Sequence, residues 1–189
     1  MRLFVATDLN NDIIKSIENI KKGFMSFDSE LKFVDSRNIH ITLKFLGDVR
    51  EDSVTNIKAV LSDISSRSKS FRIKVQGLGY FGNPSSVRVL WVGISQGRDA
   101  LSGLMEEICR GLDFIRKDDH PAFPHITIAR MKIPGKNSGL IEAIKKNADV
   151  NMGEQYVKDI HLISSVLTPE GPVYKKLYSF NLREGMKND

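Results

Sequence analysis

Apolar and polar positions recur along this chain with two different periods, and the changes of period mark out its elements. Leu3, Phe4, Val5 and Ala6 are apolar without alternation, which predicts a buried strand from Met1 to Asp8. Ile13, Ile17, Ile20 and Phe24 then follow at helical spacing, with Lys15, Glu18, Lys21 and Lys22 on the other face and N-cap chemistry in Asn10, Asn11 and Asp12. A short strand, Leu31 to Val34, precedes a longer one, Ile39 to Leu46, which Gly47 ends. Asp48 and Glu51 have the spacing of a capping box. Val54, Ile57, Leu61 and Ile64 supply the buried stripe of a second helix, which runs out in a serine-rich turn or hinge, Ser62 to Ser70.

The second half opens on alternation. Phe71, Ile73 and Val75 oppose Arg72 and Lys74, the pattern of a half-exposed strand. Gly77, Gly79, Gly82, Asn83 and Pro84 read as a loop, and Val87 to Ile94 as the hairpin partner beyond it. Leu101, Leu104, Met105, Ile108 and Leu112 mark a third helix. A strand from His125 to about Met131, a short helix from Leu140 to Lys146, and two long strands complete the chain. Those strands run over Tyr156 to Leu167 and Val173 to Leu182, and Thr168-Pro169-Glu170-Gly171-Pro172 joins them. Short turns between many strands favour antiparallel pairing.

One tetrapeptide occurs in each half: His40-Ile41-Thr42-Leu43 and His125-Ile126-Thr127-Ile128. Side chains two apart in a strand share a face. His40 and Thr42 therefore project together while Ile39, Ile41 and Leu43 turn into a core, and His125 and Thr127 repeat this against Ile126 and Ile128. A core does not require a histidine beside a threonine twice. One such strand per half implies approximate duplication, with both histidine-bearing faces turned into a shared cleft. The expected fold class is α+β: residues 1–189 form a single bilobal domain, with two pseudo-symmetric antiparallel sheets and outer helices around a central cleft.

Composition narrows the partners without naming one. With 189 residues, 41% hydrophobic and 27% charged, the chain has the make-up of an ordinary globular protein. Its net charge of +5 favours an anionic partner, although a solvated basic face explains it equally well. The single cysteine, Cys109, excludes an intrachain disulfide and a cysteine-built zinc site, and its apolar helical setting marks a small core residue. The N-terminal apolar run is interrupted by Asp8 and is too short for a signal-peptide core or a membrane span, so a cytoplasmic protein with no membrane partner is expected.

Histidine is the side chain whose ordinary pKa lies near neutrality, so a pair can hold one neutral and one protonated member. The neutral imidazole takes a proton from an attacking water while the imidazolium protonates a leaving oxygen. In-line displacement at phosphorus suits two facing lobes, since nucleophile and leaving group lie on opposite sides of the phosphorus. The hydroxyls of Thr42 and Thr127 can donate to non-bridging phosphate oxygens. Arg130, five residues after His125, can neutralise a phosphate, but its odd offset reaches the cleft only through a bulge, a strand end or a long sideways reach. Lys44, at an even offset, is expected on the face of His40. His120 and His161 lack a threonine two residues on and are assigned no chemistry. The sequence has no phosphate-cradling glycine-rich loop, no His-Glu-x-x-His run and no nucleophile elbow. Two distant histidines without a third ligand make a poor metal site, so no cofactor is expected.

Longer blocks around the motifs carry a family likeness. Met1-Arg2-Leu3-Phe4-Val5-Ala6, Asn38-Ile39-His40-Ile41-Thr42-Leu43-Lys44-Phe45-Leu46-Gly47, Arg88-Val89-Leu90-Trp91-Val92-Gly93 and Phe123-Pro124-His125-Ile126-Thr127-Ile128-Ala129-Arg130 follow in order. The chain resembles the 2H phosphoesterase superfamily, and within it the LigT-like RNA 2′,3′-cyclic phosphodiesterases, historically called 2′-5′ RNA ligases. The resemblance implies a bilobal antiparallel fold and metal-independent hydrolysis of an RNA terminal 2′,3′-cyclic phosphate to a 2′-phosphomonoester. It implies RNA ends, tRNA fragments among them, as partners of a monomer. It also implies His40 as proton donor to the departing 3′ oxygen, His125 as the base that activates water, and Thr42, Thr127 and Arg130 on the phosphate. Ile128 stands where leucine is usual, a buried change of similar volume. Two further functions fit the same residues. One is RNA end-binding or 2′-5′ ligation, with Phe81 and Phe123 as stacking surfaces; the other is the same chemistry on a small cyclic nucleotide.

Overall fold

The computed structural model describes every residue except 28, 118–120, 136, 170 and 186–189, so His120 lies outside the described residues. Strand β1 (Arg2–Thr7) leads into helix α1 (Asn11–Lys22). The Asn10 side chain starts that helix by accepting from the Ile13 N–H at 2.9 Å. Asp12 in the first turn and Lys21 and Lys22 in the last complement the helix dipole. Strands β2 (Leu31–Phe33) and β3 (Ile41–Asp48) follow, then helix α2 (Val54–Arg67) and the hairpin of β4 (Phe71–Asn83) and β5 (Ser86–Gln96). Helix α3 (Arg98–Gly111), strand β6 (His125–Gly135), helix α4 (Ser138–Lys146) and strands β7 (Asn151–Val157), β8 (Asp159–Thr168) and β9 (Gly171–Asn181) complete the order.

All the pairings between these strands are antiparallel, and they form two sheets, β3-β1-β8-β9 and β2-β6-β5-β4-β7. The two motif strands hold matching places. β3 lies beside β1 and β6 beside β5, and a helix precedes each motif strand: α1 on the way from β1 to β3, α3 between β5 and β6. The sheets do not follow the halves of the chain, however, because β8 and β9 return to complete the first and β2 joins the second. One contiguous core serves both, with Leu3, Val5, Ile41 and Leu162 from the first sheet and Ile73, Leu90, Val92 and Ile126 from the second. The helices pack around it, α2 on β8 and β9, α3 on β3 and β5, α1 on β7 and α4 on β4. Phe4 and Ala6 point the other way, into a separate small cluster with Ile163 and Tyr174. Strand β1 is thus buried on both faces, which is why its apolar run does not alternate.

Two connections set the sheets against each other. Beyond β2, the Val34 N–H donates to the Ile128 carbonyl of β6 at 2.9 Å, while the Val34 carbonyl accepts from the buried Lys21 ammonium. Asp35 then caps a short 3-10 turn, Ser36–Asn38, its carboxylate accepting from the Arg37 N–H at 2.9 Å. The chain arrives at His40 directly afterwards. On the other side, Gln155 of β7 accepts from the Asn10 N–H at 2.7 Å and donates to the Asp8 carbonyl at 2.8 Å.

Some local expectations give way for identifiable reasons. The glycine-rich stretch after Val75 is not a loop: β4 continues to Asn83, with register shifts between Val75 and Leu78 and between Phe81 and Gly82. Gly79 lies directly across from Trp91, and a Cβ there would sit 2.3 Å from the indole ring. The glycine makes room for the tryptophan. Asp48 is the last residue of β3, and no capping box forms; a 3-10 turn, Glu51–Ser53, begins after Arg50 without a side-chain cap and runs into α2. That helix does not dissolve at Ser62 but runs to Arg67; Ser65 and Ser66 donate back to the carbonyls of Ser62 and Asp63, and Arg67 pairs with Asp63 at 2.8 Å. The apolar stretch from Tyr156 divides at Lys158 into strands of different sheets. Strand β3 starts at Ile41, leaving His40 just ahead of it, and Cys109 is partly exposed rather than core.

Gly79→Ala should lower stability by about 1–3 kcal/mol through overpacking against Trp91. Urea unfolding followed by the fluorescence of this single tryptophan checks it. An unchanged midpoint and spectrum would show that the indole does not depend on the missing side chain.

Candidate active site

Both motif histidines are anchored in the same way. Nδ1 of His40 lies 2.7 Å from the Asn38 carbonyl, and Nδ1 of His125 lies 2.7 Å from the Phe123 carbonyl, two residues back in each case. A carbonyl only accepts, so Nδ1 carries the hydrogen and Nε2 is left as the working nitrogen. In His40 that nitrogen lies 2.9 Å from the Thr42 hydroxyl. Burial pushes the pKa of both histidines down. The Asn38 carbonyl and the charge of Asp8 push His40 back up, and His125 pushes it down. The Phe123 carbonyl likewise supports a proton on His125, while the positive charge of Arg130 opposes it. The two imidazoles therefore share one electrostatic environment.

What else faces that space is decided by one unpaired residue in each motif strand. Across β5 and β6, Leu90 opposes Ala129 and Trp91 opposes Thr127, so Ile128 has no partner. A bulge of this kind puts two successive side chains on one side and reverses the alternation beyond it. Ile128 and Ala129 are both fully buried, and Arg130 emerges exposed on the face of His125 and Thr127. The first sheet repeats the device: Val5 opposes Lys44 and Ala6 opposes Thr42, leaving Leu43 unpaired. Leu43 and Lys44 both turn inward, and Phe45, 52% exposed, takes the position that corresponds to Arg130. Lys44 is thus not on the face of His40, contrary to simple alternation.

Aromatic rings line each half. The His40 ring lies 5.0 Å from Phe4 and 5.5 Å from Tyr174, and Phe4 is 6.1 Å from Phe45. The His125 ring lies 4.8 Å from Phe81 and 6.0 Å from Phe123, and Trp91 packs against both, tilted to Phe81 at 5.6 Å and edge-on to Phe123 at 5.2 Å. The arrangement is two imidazoles with matched anchors, a hydroxyl two residues beyond each, and one guanidinium.

Comparison with known proteins finds relatives of this chain. A family model described as LigT like Phosphoesterase matches residues 7–91, which include the first motif. A protein of Archaeoglobus fulgidus named RNA 2′,3′-cyclic phosphodiesterase is 37% identical over 182 residues, covering 95% of this chain and 99% of the relative. One of the same name from Aquifex aeolicus is 37% identical over 187 residues, covering 96% and 97%. This chain belongs to the LigT-like phosphoesterase family. A crystal structure from Thermus thermophilus shares the fold at a TM-score of 0.83 and 29% identity, over 97% of this chain and 99% of that one. The crystal structure of E. coli LigT complexed with 3′-AMP shares it at 0.77 and 22% identity, over 96% and 97%.

Beyond the residues expected from the sequence, Phe4, Tyr174, Asp8 and His161 surround the candidate site in this LigT-like protein. Tyr174 comes from β9, and burial raises its hydroxyl pKa against the opposing charges of Arg130 and Arg2. Thr42, Ala6, His161 and Ser179 lie in register across β3, β1, β8 and β9, so His161 shares the cleft-side face of its sheet. It is buried, with Nδ1 2.9 Å from the Ser179 hydroxyl. Its Nε2 lies 3.1 Å from Asp159 and 3.4 Å from Asp8, ion-pair separations without hydrogen-bond alignment. Burial opposes a charge there, but the two carboxylates outweigh it and hold the pKa at about 9. Contact with His161, helped by Lys176 and resisted by burial, lowers Asp8 to about 2. The Asp-x-His spacing of Asp159 and His161 is the only trace of this cluster in the sequence, since Asp8 joins it through the pairing of β1 with β8.

A raised histidine stabilises the fold fully below its ordinary value of 6.5 and ceases to do so as the pH climbs through 9. A depressed carboxylate does so above 3.8 and fails as the pH falls through 2. The stability advantage of the wild type over His161→Asn, measured by urea unfolding, should therefore be greatest between these limits and shrink toward pH 9. An advantage that persists undiminished above pH 9 would show that His161 is not held charged.

Proposed function

We propose that this protein opens the 2′,3′-cyclic phosphate at the 3′ end of an RNA with water, leaving a 2′-phosphomonoester and a free 3′-hydroxyl. The matched anchoring of His40 and His125, each with a threonine hydroxyl two residues on, carries the reading. His125 takes a proton from water through Nε2 as the water oxygen bonds to phosphorus. The bond from phosphorus to O3′ breaks, and His40 gives O3′ its proton. The hydroxyls of Thr42 and Thr127 and the guanidinium of Arg130 hold the non-bridging oxygens as charge gathers on them. The direction of proton flow has electrostatic support. Asp8 favours a proton on His40, whereas Arg130 disfavours one on His125. A donor beside a carboxylate and an acceptor beside a guanidinium suit those roles.

The substrate class is RNA ends, tRNA fragments among them, met by a monomer in the cytoplasm. Relatives named RNA 2′,3′-cyclic phosphodiesterase support the choice of phosphodiester. No helix among the described residues is long and apolar enough to cross a membrane.

Phosphorus NMR of the products from an oligonucleotide ending in a 2′,3′-cyclic phosphate should show a 2′-monoester only. His40→Ala and His125→Ala should each lower kcat by about 10²–10⁴-fold with circular dichroism unchanged. The pH–rate profile should be bell-shaped, and EDTA should have no effect. A 3′-monoester product, or activity that depends on added metal, would overturn the mechanism.

A further inference from the structure

The site continues past Arg130 into an open groove of about 570 Å³ lined by Phe81, Gly82, Arg88, Val89, Arg130 and Met131. Phe81, Val89 and Arg130 lie directly across from one another on β4, β5 and β6, so they share a face. That face is the one carrying His125 and Thr127, and Phe81 packs edge-on to the His125 ring. The groove and the reactive centre are thus one surface, joined at Arg130.

Its chemistry exceeds what one cyclic phosphate can use. Two guanidiniums line it, and among the described residues neither Arg88 nor Arg130 has a carboxylate partner. Unpaired guanidiniums beside an aromatic ring and the apolar side chains of Val89 and Met131 offer an anion clamp next to a surface for a base or a sugar. The volume lies within the range of small-molecule sites. A cyclic phosphate closes the 3′ end of its strand, so any further nucleotide lies on the 5′ side.

We propose that this groove is a subsite for the nucleotide preceding the cyclic end, with Arg88 holding the phosphodiester that joins the two and Phe81, Val89 and Met131 receiving the base or sugar beyond it. The proposal rests on the reaction inferred above and assigns a place to the penultimate nucleotide of that RNA end. Arg88 is exposed, so its replacement does not open the core.

The test compares a 2′,3′-cyclic mononucleotide with a dinucleotide bearing the same cyclic end, using wild type, Arg88→Ala and Arg88→Lys. Wild type should favour the dinucleotide in kcat/KM. Arg88→Ala should lower kcat/KM for the dinucleotide, through KM, at least ten-fold more than for the mononucleotide, and Arg88→Lys should fall between. The dinucleotide KM of Arg88→Ala should also depend less steeply on salt than that of wild type, by the share of one phosphate contact. Equal loss on both substrates, or no loss on either, overturns the subsite. A wild type that opens both equally overturns the subsite and leaves the reaction standing. A wild type that opens neither overturns the reaction, and the subsite with it.

Discussion

One extra residue in a strand decides what the cleft contains. In an uninterrupted β6 the side chain five places after His125 would point into the core, and a guanidinium there would be desolvated without a partner. With Ile128 left unpaired, two apolar side chains in succession face the core and Arg130 comes out beside the imidazole. The same device at Leu43 sends Lys44 inward and Phe45 outward. The two halves thus share a backbone solution and differ in what it presents: a cation on the His125 side, an aromatic ring on the His40 side.

A bulge needs its freed backbone groups satisfied, and in β6 the satisfaction is also what brings the two motifs together. The Ile128 carbonyl accepts from the Val34 N–H, and the buried ammonium of Lys21 serves the Val34 carbonyl. Val34 is the last residue tied to the second sheet before the capped turn that delivers His40 to the first. The hydrogen bond that relieves one motif strand therefore fixes the starting point of the other. Substitution at Lys21, far from the chemistry in sequence, bears on the cleft through the two backbone polar groups of a single residue, Val34.

The doubled motif, the strand character around it and the antiparallel α+β class were legible because each rests on local periodicity. The face reached by Arg130 was not, since a bulge is a property of two paired strands and alternation within one strand cannot reveal it. Lys44 failed for the same reason. Glycines 77, 79 and 82 looked like a loop because glycine is depleted in strands. Here Gly79 is dictated by the tryptophan across from it, a cross-strand fact. His161 has no threonine two residues on to mark it, yet it is buried and its pKa is held at about 9. The carboxylates that make it so come from its own strand and from Asp8 at the end of β1.

Approximate symmetry would leave a pair of equivalent histidines with no preferred direction of proton transfer. The differences between the halves supply one. Asp8 follows β1, the strand beside the first motif, and is held in place by His161 and Lys176, so a negative charge stands near His40. The corresponding charge near His125 is positive, from Arg130. The matched carbonyl anchors thus account for the common geometry of the two imidazoles, and the unlike neighbours fit the opposite tasks proposed for them. Burial weakens the hold of both rings on a proton, which makes each more responsive to the charge beside it, because the same charge acts more strongly in a poorly solvated site.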